Sequence, residues 1–356
     1  MDEATIIKYS IKDVQSMTNI PQKNLYIARN APFVSSIDDI GKLSGFYNGK
    51  ESGHLFLYST RVLFSGQELS ALVGSDFRVD KEARKSGLGL MIPEYWVKCG
   101  DIIVIGNISP MATPIYKYFK FHLFEIPKFV SVTNSKLLLG RYICGFSLSI
   151  LASICDIPLK LLKLGYKFFT KIHFCKFCVI EKDLENADLD GIEAIINEDN
   201  SKYKELHNAK WLEWVLSYKN GEDRQRLYEI YSKGDLCGFY IIKHCRINQL
   251  GFTHYKKPLE NLLWGELIEW GVKKGTDLTP QILFALVLGK SELYYDVLEM
   301  ASEKRDFFEK IPHFIMRQYG FSNFAVRLSK DHKKQFQDYD DINMWRVRMG
   351  VGDNCL

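Results

Sequence analysis

The sequence predicts a mixed α/β fold (α+β with a mixed sheet) in two domains, and three observations carry that expectation. The chain is 356 residues long, more than one ordinary core holds and suited to two domains of common size. Runs of β-branched and aromatic residues of strand length alternate with segments of helical period. The order strand, helix, strand, helix found in the first half recurs in the second, where it closes on Gly320-Phe321.

Leu55–Phe64 and Leu69–Val79 read as neighbouring strands, because β-branched and aromatic side chains fit a pleated, half-buried surface. After a glycine-containing loop, Gly87–Val97 predicts a helix and Asp101–Ile105 a strand. Ser109-Pro110 is a helix start, Ser as cap and Pro in the first turn, with the helix running to about Phe119. Leu123–Val132 predicts the next strand. From Lys136 to about Lys171 the pattern is helical and amphipathic, with Leu159, Leu161, Leu162, Leu164 and Phe168 on one side and lysines between.

In the second half, Leu189–Ile196 and Ala209–Leu216 predict helices. Leu227–Ser232 and Gly238–Lys243 predict a strand pair around Lys233-Gly234-Asp235. Leu267–Val272 and Asp296–Met300 read as strands, and Pro280–Leu288 and Glu303–Gln318 as helices. The expected division is a first domain over 1–135, a basic amphipathic connector over 136–175, a second domain over 176–330 and a tail over 331–356.

Composition is that of a soluble globular protein, 46% hydrophobic and 25% charged, with aromatics somewhat rich at 13%. A net charge of +4 is too small at this length to argue for nucleic acid. The charge is unevenly placed, however. Between Ile126 and Ile180 stand Lys128, Lys136, Arg141, Lys160, Lys163, Lys167, Lys171 and Lys176, with Asp156 the only acid. A helix through Lys160, Lys163, Lys167 and Lys171 carries one cationic stripe. The preferred reading docks this connector on the second domain with its lysines in water; the alternative lays it on an anionic membrane surface.

Met1-Asp2-Glu3 begins acidic without an apolar run behind it, and the eight cysteines are scattered and mostly lie in apolar runs. The expectation is a cytoplasmic chain without a leader peptide, its cysteines reduced core thiols. The longest uncharged stretch, Tyr142 to Cys155, is shorter than the roughly 20 residues a spanning helix needs. His173, Cys175 and Cys178 offer soft ligands without a second cysteine pair, so no metal is expected. Trp211, Leu212, Trp214 and Val215 read as one buried helical face, and the histidines other than His173, His54 among them, as structural.

The segment Val79–Leu90, VDKEARKSGLGL, carries the chemistry. It reads as a strand end, a charged loop and a glycine-rich turn opening a helix. Gly87 and Gly89 let backbone approach a ligand closely. The helix start offers unpaired N–H groups and a positive dipole end, which suit a pyrophosphate. Arg84 and Lys85 add charge beside it.

Arg84-Lys85-Ser86-Gly87-Leu88-Gly89 resembles the motif of the GCN5-related N-acetyltransferases, in which Arg or Gln is followed by two residues, Gly, one residue, and Gly or Ala. Val79-Asp80 and Glu82 fit the loop leading into that motif. Downstream, Ser109–Phe121 resembles the family's second signature, with Ala112, Tyr116 and Phe121 in register. Lys120 replaces the usual Gly there, and Ser109 stands where Asn is common. The resemblance covers roughly Leu55–Val132.

It implies a tandem acyltransferase fold that binds acetyl-coenzyme A or a related acyl-coenzyme A and transfers the acyl group to an amine. The implied donor residues are Phe77, Val79, Arg84, Lys85, Ser86, Gly87, Leu88, Gly89 and Ser109, Phe77 and Val79 lying where the strand's main chain pairs with the pantetheine arm. By family register Tyr116 is the acid beside the departing sulfur; a packed core tyrosine is the alternative. Glu68 and Asp76, on the strand running toward the cofactor, are the candidate bases. The second half has Gly271–Pro280 in place of the motif and Met316 in place of the tyrosine, which implies a degenerate copy shaping the acceptor site. The tail around Trp345 and Gly352-Asp353 resembles members found among surface-polysaccharide enzymes, and points to an amino sugar, or its nucleotide- or lipid-linked form, as acceptor. Alternatives are an aminoacyl or fatty-acyl transferase of the same tandem fold, and a non-catalytic acyl-coenzyme A sensor or scaffold.

Overall fold

A computed structural model describes residues 4–34, 36, 39–139, 146–247, 261–291, 294–308, 311–312 and 316–350. In chain order the elements begin with β1 (Ala4–Ser10), α1 (Ile11–Ser16), α2 (Gln22–Asn30), β2 (Ile40–Tyr47) and β3 (Lys50–Phe64). They continue with β4 (Gln67–Val79), α3 (Leu88–Trp96), β5 (Ile102–Ile105), α4 (Thr113–Tyr118) and β6 (His122–Val132). Next come α5 (Lys136–Leu139), α6 (Phe146–His173), β7 (Phe177–Lys182), α7 (Leu189–Asn197), β8 (Tyr203–Glu205) and α8 (Ala209–Ser217). The hairpin strands follow as β9 (Lys219–Asn220), β10 (Asp223–Ser232), β11 (Asp235–Ile247) and β12 (Leu262–Val272). The chain ends through α9 (Pro280–Ser291), β13 (Val297–Ala301), β14 (Arg317–Leu328), α10 (Lys330–Gln335) and β15 (Trp345–Arg346).

Two compact units emerge, one of Met1–Ile126, Asn200–Tyr218 and Ser322–Leu356, the other of Pro127–Asp199 and Lys219–Phe321. The chain passes from one unit to the other within β6 and within β14.

In the first unit β1 to β4 form an antiparallel meander. The crossover through α3 returns the chain as β5, parallel to β4, and β14 pairs antiparallel with β5 from Ala325↔Ile105 to Leu328↔Ile102. Successive side chains of a strand point to opposite faces, and β4 shows where its helices lie. Ser75 bonds Asn24 of α2, while a Cβ on Gly74 would sit 2.7 Å from the Trp96 ring of α3. α2 and α3 therefore cover opposite faces. The core on the α3 side gathers Leu43, Leu57, Ile92, Trp96, Ile103, Tyr116, Phe121 and Ala325.

The second unit repeats the same directions. β7, β10, β11 and β12 are antiparallel neighbours, β13 is parallel to β12 after the crossover α9, and β6 pairs antiparallel with β13. The β10–β11 hairpin turns on Lys233 and Gly234 at φ 53° and 92°, the paired left-handed residues a two-residue turn needs. Its core packs Leu283, Phe284, Val287 and Leu288 of α9 against Tyr240, Ile242, Leu267 and Trp270.

Several expectations change. The helix expected over Glu303–Gln318 is a 3₁₀ turn at Arg305–Phe308, and Arg317 already belongs to β14; residues 309–310 and 313–315 lie outside the described chain. Pro312 stands inside that segment and cannot continue a helix. The helix expected from Ser109 starts at Thr113, with Pro114 in its first turn where the missing N–H costs nothing. Cys155, Cys175 and Cys178 are exposed, so only part of the cysteine set is in the core. The face of α8 is as expected: Trp211, Leu212, Trp214 and Val215 are buried.

The largest difference is in α6. Lys163 does not share a solvated stripe with Lys160, Lys167 and Lys171; it is 1% exposed, its Nζ donating to Ser131 Oγ at 2.8 Å and Thr133 Oγ1 at 3.1 Å. The seated side is narrow, with Ala152, Lys163 and Thr170 buried. Leu161, Leu162, Leu164 and Phe168 are exposed. No described helix is long and apolar enough to cross a membrane.

Thr170 meets α9 at Gly289, where a Cβ would lie 2.2 Å from Thr170 Oγ1 and 3.0 Å from its Cβ. Gly289→Leu should therefore overpack this contact and lower the unfolding free energy by about 1–3 kcal/mol, read from urea titration. An unchanged midpoint would mean α6 does not seat on α9 this closely.

Candidate active site

The candidate site is built around the C-terminal half of β4. Leu72 and Val73 pair with Ile103 and Val104 of β5; from Gly74 onward β4 pairs, among the described residues, only with β3. A row of β4 backbone groups thus borders the gap where β5 has diverged. Three residues into that gap the β3–β4 register shifts, so that Asp76 and Phe77 together stand opposite Leu55. Asp76 takes φ 52°, a conformation Asp tolerates better than most residues. Such a bulge leaves one residue's backbone outside the ladder and bends the strand. After it, Phe77 and Val79 pack against the core on the α3 side.

β4 runs into the glycine loop. Ala83, 1% exposed, and Leu88, 0% exposed, anchor its two ends, while Arg84 and Lys85 stand in solvent. Gly87 is the N-cap residue of α3 at φ 88°, a left-handed backbone that costs a residue with a Cβ roughly 1–2 kcal/mol. Ser86 N–H bonds Ala83 O, and Leu90 and Met91 N–H both reach Gly87 O. The N–H groups of Lys85, Gly87 and Gly89 find no acceptor among the described residues. A Cβ at Gly87 or Gly89 would meet nothing within 4 Å. The loop therefore encloses open space bordered by unspent donors and the positive end of a helix, the arrangement that holds a phosphate.

Tyr116, 6% exposed, lies on α4 with its ring edge-on to Trp96 at 6.1 Å and to Phe121 at 5.3 Å. It shares one core with Ile92, Trp96, Phe77 and Val79, so the packing that fixes the glycine loop also fixes this phenol. Lys120 takes φ 62°, the left-handed form that the usual glycine would hold without strain. Ser109 is exposed; its hydroxyl accepts from Ala112 N–H at 3.3 Å and so caps the turn before α4.

On the α2 face a chain of polar groups leads away from the bulge. Asp76 Oδ2 lies 3.6 Å from His54 Nε2 and accepts from Asn24 Nδ2 at 3.4 Å. His54 Nδ1 is 3.9 Å from Glu51 Oε1. That carboxylate accepts from Lys42 Nζ at 2.7 Å and from Ser44 Oγ at 3.1 Å. Asp76 stays 46% exposed at the bulge while the His54 side chain is 24% exposed behind it. Glu68 is elsewhere: it sits near the opposite end of β4, 3.8 Å from Arg61, and eight residues of strand separate it from Asp76 by about 25 Å.

The structure thus gathers Phe77, Val79, Tyr116 and the loop from Arg84 to Gly89 around one end of β4, with Asp76 at the bulge, and leaves Glu68 at the far end. His54, Glu51, Lys42 and Asn24 were not expected at the site. Lys42, Glu51 and His54 signal themselves only as polar residues within strands and Asn24 only as a polar residue within α2, which does not say what stands opposite. Of the tail cue, Trp345 does not reach the site as a ligand group. Trp345 is 2% exposed, its indole N–H bonded to Tyr339 O and its ring against Phe64 and Tyr203; Gly352-Asp353 lies outside the described residues. His173, Cys175 and Cys178 do not gather with a further ligand: among the described residues no three His, Cys, Asp or Glu side chains form a metal-binding group.

No protein-family model matches the chain, and no curated protein matches it by sequence. Solved structures do. A conserved protein from Enterococcus faecalis, described as a probable N-acyltransferase, aligns with 93% of this chain and 73% of its own at a TM-score of 0.54 and 10% identity. A GCN5-related N-acetyltransferase from Anabaena variabilis aligns with 92% of this chain and 73% of its own, TM-score 0.53, 11% identity. The N-myristoyltransferase of Saccharomyces cerevisiae, with bound myristoyl-coenzyme A, aligns with 92% and 79%, TM-score 0.54, 11% identity. The fold is therefore that of the GCN5-related N-acetyltransferases and N-myristoyltransferase.

The loop conformation can be tested without a ligand. Gly87→Ala forces a Cβ into the left-handed region at φ 88° and should lower stability by about 1–2 kcal/mol in chemical unfolding. A neutral effect would show that the chain does not hold this cap.

Proposed function

We propose that the chain is an acyl-coenzyme A-dependent N-acyltransferase whose donor site is the C-terminal end of β4 and the loop that follows it. The observation that carries this reading is the coincidence of a one-sided strand edge with a cradle of unspent N–H groups one turn further along the chain. A thioester with a pyrophosphate at one end and an amide-bearing arm at the other needs both. The N–H groups of Lys85, Gly87 and Gly89 would hold the pyrophosphate, with Arg84 and Lys85 supplying charge from solvent. Ser86 and Leu88 shape the loop. The main chain from Gly74 to Val79 would pair with the pantetheine amides, and Phe77 and Val79 would fix that strand end.

Acyl-coenzyme A supplies an acyl group already activated as a thioester. The acceptor amine attacks only when neutral, so its ammonium proton must leave. Asp76 is the candidate base: it stands at the bulge, is half exposed, and accepts from Asn24 Nδ2, with His54 Nε2 3.6 Å away. The C–N bond forms as the C–S bond breaks, and the departing thiolate takes a proton from the Tyr116 phenol. Acetyl-coenzyme A is the first donor to assay, and longer acyl donors belong in the same screen, since the N-myristoyltransferase neighbour carries myristoyl-coenzyme A. The acceptor is an amine, with an amino sugar, free or nucleotide- or lipid-linked, as the first class to test. The second unit is read as a degenerate copy: its crossover loop Gly271–Pro280 has no counterpart to the motif.

Two variants test this reading. A Cβ at Gly89 meets no protein atom, so Gly89→Val should leave unfolding within about 1 kcal/mol of wild type and abolish acyl-coenzyme A binding in calorimetry. Unchanged affinity would remove the donor site from this loop. Tyr116→Phe keeps the ring that packs on Trp96 and Phe121; turnover should fall about 10²- to 10⁴-fold with donor affinity retained. Wild-type turnover in that variant would return Tyr116 to the core alone, and binding without turnover in the wild type would favour a sensor.

A further inference from the structure

We infer that the outward side of α6 is a docking surface for an anionic lipid bilayer, a property independent of the donor site. Opposite the seated stripe of Ala152, Lys163 and Thr170, the helix presents Ile150, Ile154, Ile157 and Leu161, continued by Leu164, Phe168 and Ile172. Their spacing is four, three, four, three, four and four, which keeps all of them within one face of a helix. Their exposures run from 40% at Leu164 to 74% at Ile172. The row covers Ile150 to Ile172, about 33 Å of helix, and soluble surfaces seldom carry so long a continuous apolar strip without a partner.

The charge beside the row names the partner. Lys160, Lys167 and Lys171 are exposed and each precedes an outward apolar residue by one position, Leu161, Phe168 and Ile172. The three ammonium groups therefore line one border of the strip, about 100° round the helix. The one acid of α6, Asp156, is turned inward and accepts from Ser135 N–H at 2.7 Å. An apolar face bordered by lysines and lacking acids is the pattern of a helix lying in the headgroup plane, its side chains in the acyl boundary and its cations at the phosphates. A second copy of the chain is a poorer fit, since an antiparallel two-fold contact through this strip brings the lysine row against itself and a parallel one lays it on the apolar flank of Leu162 and Phe169. On the other flank Leu162 and Phe169 lead into an apolar recess of about 690 Å³ shared with Tyr166, Ile282 and Ile311, which continues the apolar surface inward.

The full chain should be sedimented with vesicles of phosphatidylcholine alone and of phosphatidylcholine with phosphatidylserine, at low and high salt. Wild type should bind the anionic vesicles at low salt, release at high salt, and ignore the neutral ones. Changing Lys160, Lys167 and Lys171 to Gln should weaken binding about 100-fold, at about 1 kcal/mol per lysine. Leu161→Ser with Phe168→Ser should also abolish binding, and both variants should melt as wild type does, because the changed side chains are exposed. No binding at low salt, equal binding to neutral vesicles, or binding untouched by either variant would overturn the inference. Self-association in the ultracentrifuge that the serine variant abolishes, with no vesicle binding, would assign the strip to a second copy instead.

Discussion

The first unit depends on how β4 is shared between its two neighbours. At Leu72 and Val73 the strand is paired on both sides; beyond them β5 is gone, and the strand must end in the open or against something that supplies hydrogen bonds. Unpaired backbone groups next to a core are costly unless water or a ligand satisfies them. Packing on one face fixes β4 where β5 leaves it. Gly74 has no Cβ, and the Trp96 ring occupies the place where one would stand, 2.7 Å away at its nearest atom. That ring in turn rests against Tyr116 and Phe121. Position 74, α3 and α4 are thus one mechanical unit, and the glycine loop hangs from it through Leu88 and Ile92.

The second unit shows what the same topology does without those parts. β12, α9 and β13 repeat the crossover of β4, α3 and β5. Here β12 pairs with β13 from Trp264 to Glu266 and the connecting loop is GVKKGTDLTP. Thr279 caps α9, its hydroxyl and carbonyl taking the N–H groups of Ile282 and Leu283. At this helix start Pro280 has no N–H to offer and the Ile282 N–H is spent on the Thr279 hydroxyl, whereas in the loop opening α3 the N–H groups of Lys85, Gly87 and Gly89 find no acceptor among the described residues. A shared fold places a helix N-terminus at the end of a strand; only the local residues decide whether it has anything left to offer.

Strands β3 to β6 and β10 to β13, α3 and the glycine loop were legible because their signals are local: side-chain periodicity, a capping residue, a left-handed glycine. What was not legible depends on pairing. Asp76 gains meaning from the register shift opposite Leu55, and His54 from lying next to it across the sheet; neither follows from spacing along the chain. Glu68 and Asp76 look equivalent as carboxylates on one strand, yet the ends of that strand are far apart. Lys163 was read with its three neighbours as a solvated stripe, because periodicity gives the faces of a helix without saying which one turns inward. Ser131 and Thr133, on and just after β6, supply the hydroxyls that make this lysine the buried one. The first two strands, the first two helices and β14 carried too weak a pattern to be read at all.

Burying Lys163 has a consequence for the whole of α6. A helix seats its most apolar face when nothing else is at stake, since that burial is worth about 25 cal/mol per Å². Here the fully buried positions are a lysine, a threonine and an alanine, with Leu159 and Tyr166 half-buried beside them, and the isoleucines and the exposed leucines are outside. Desolvating an ammonium is expensive unless hydrogen bonds replace its water, so this orientation needs the paired hydroxyls of Ser131 and Thr133 on one side and the close Thr170–Gly289 approach on the other. Rotating the helix by half a turn would bury the apolar row, but would strand Lys163 away from its acceptors and push a bulky side chain against Gly289. The contacts that hold α6 are therefore the same ones that keep its apolar strip facing outward, and the strip is a fixed property of the fold.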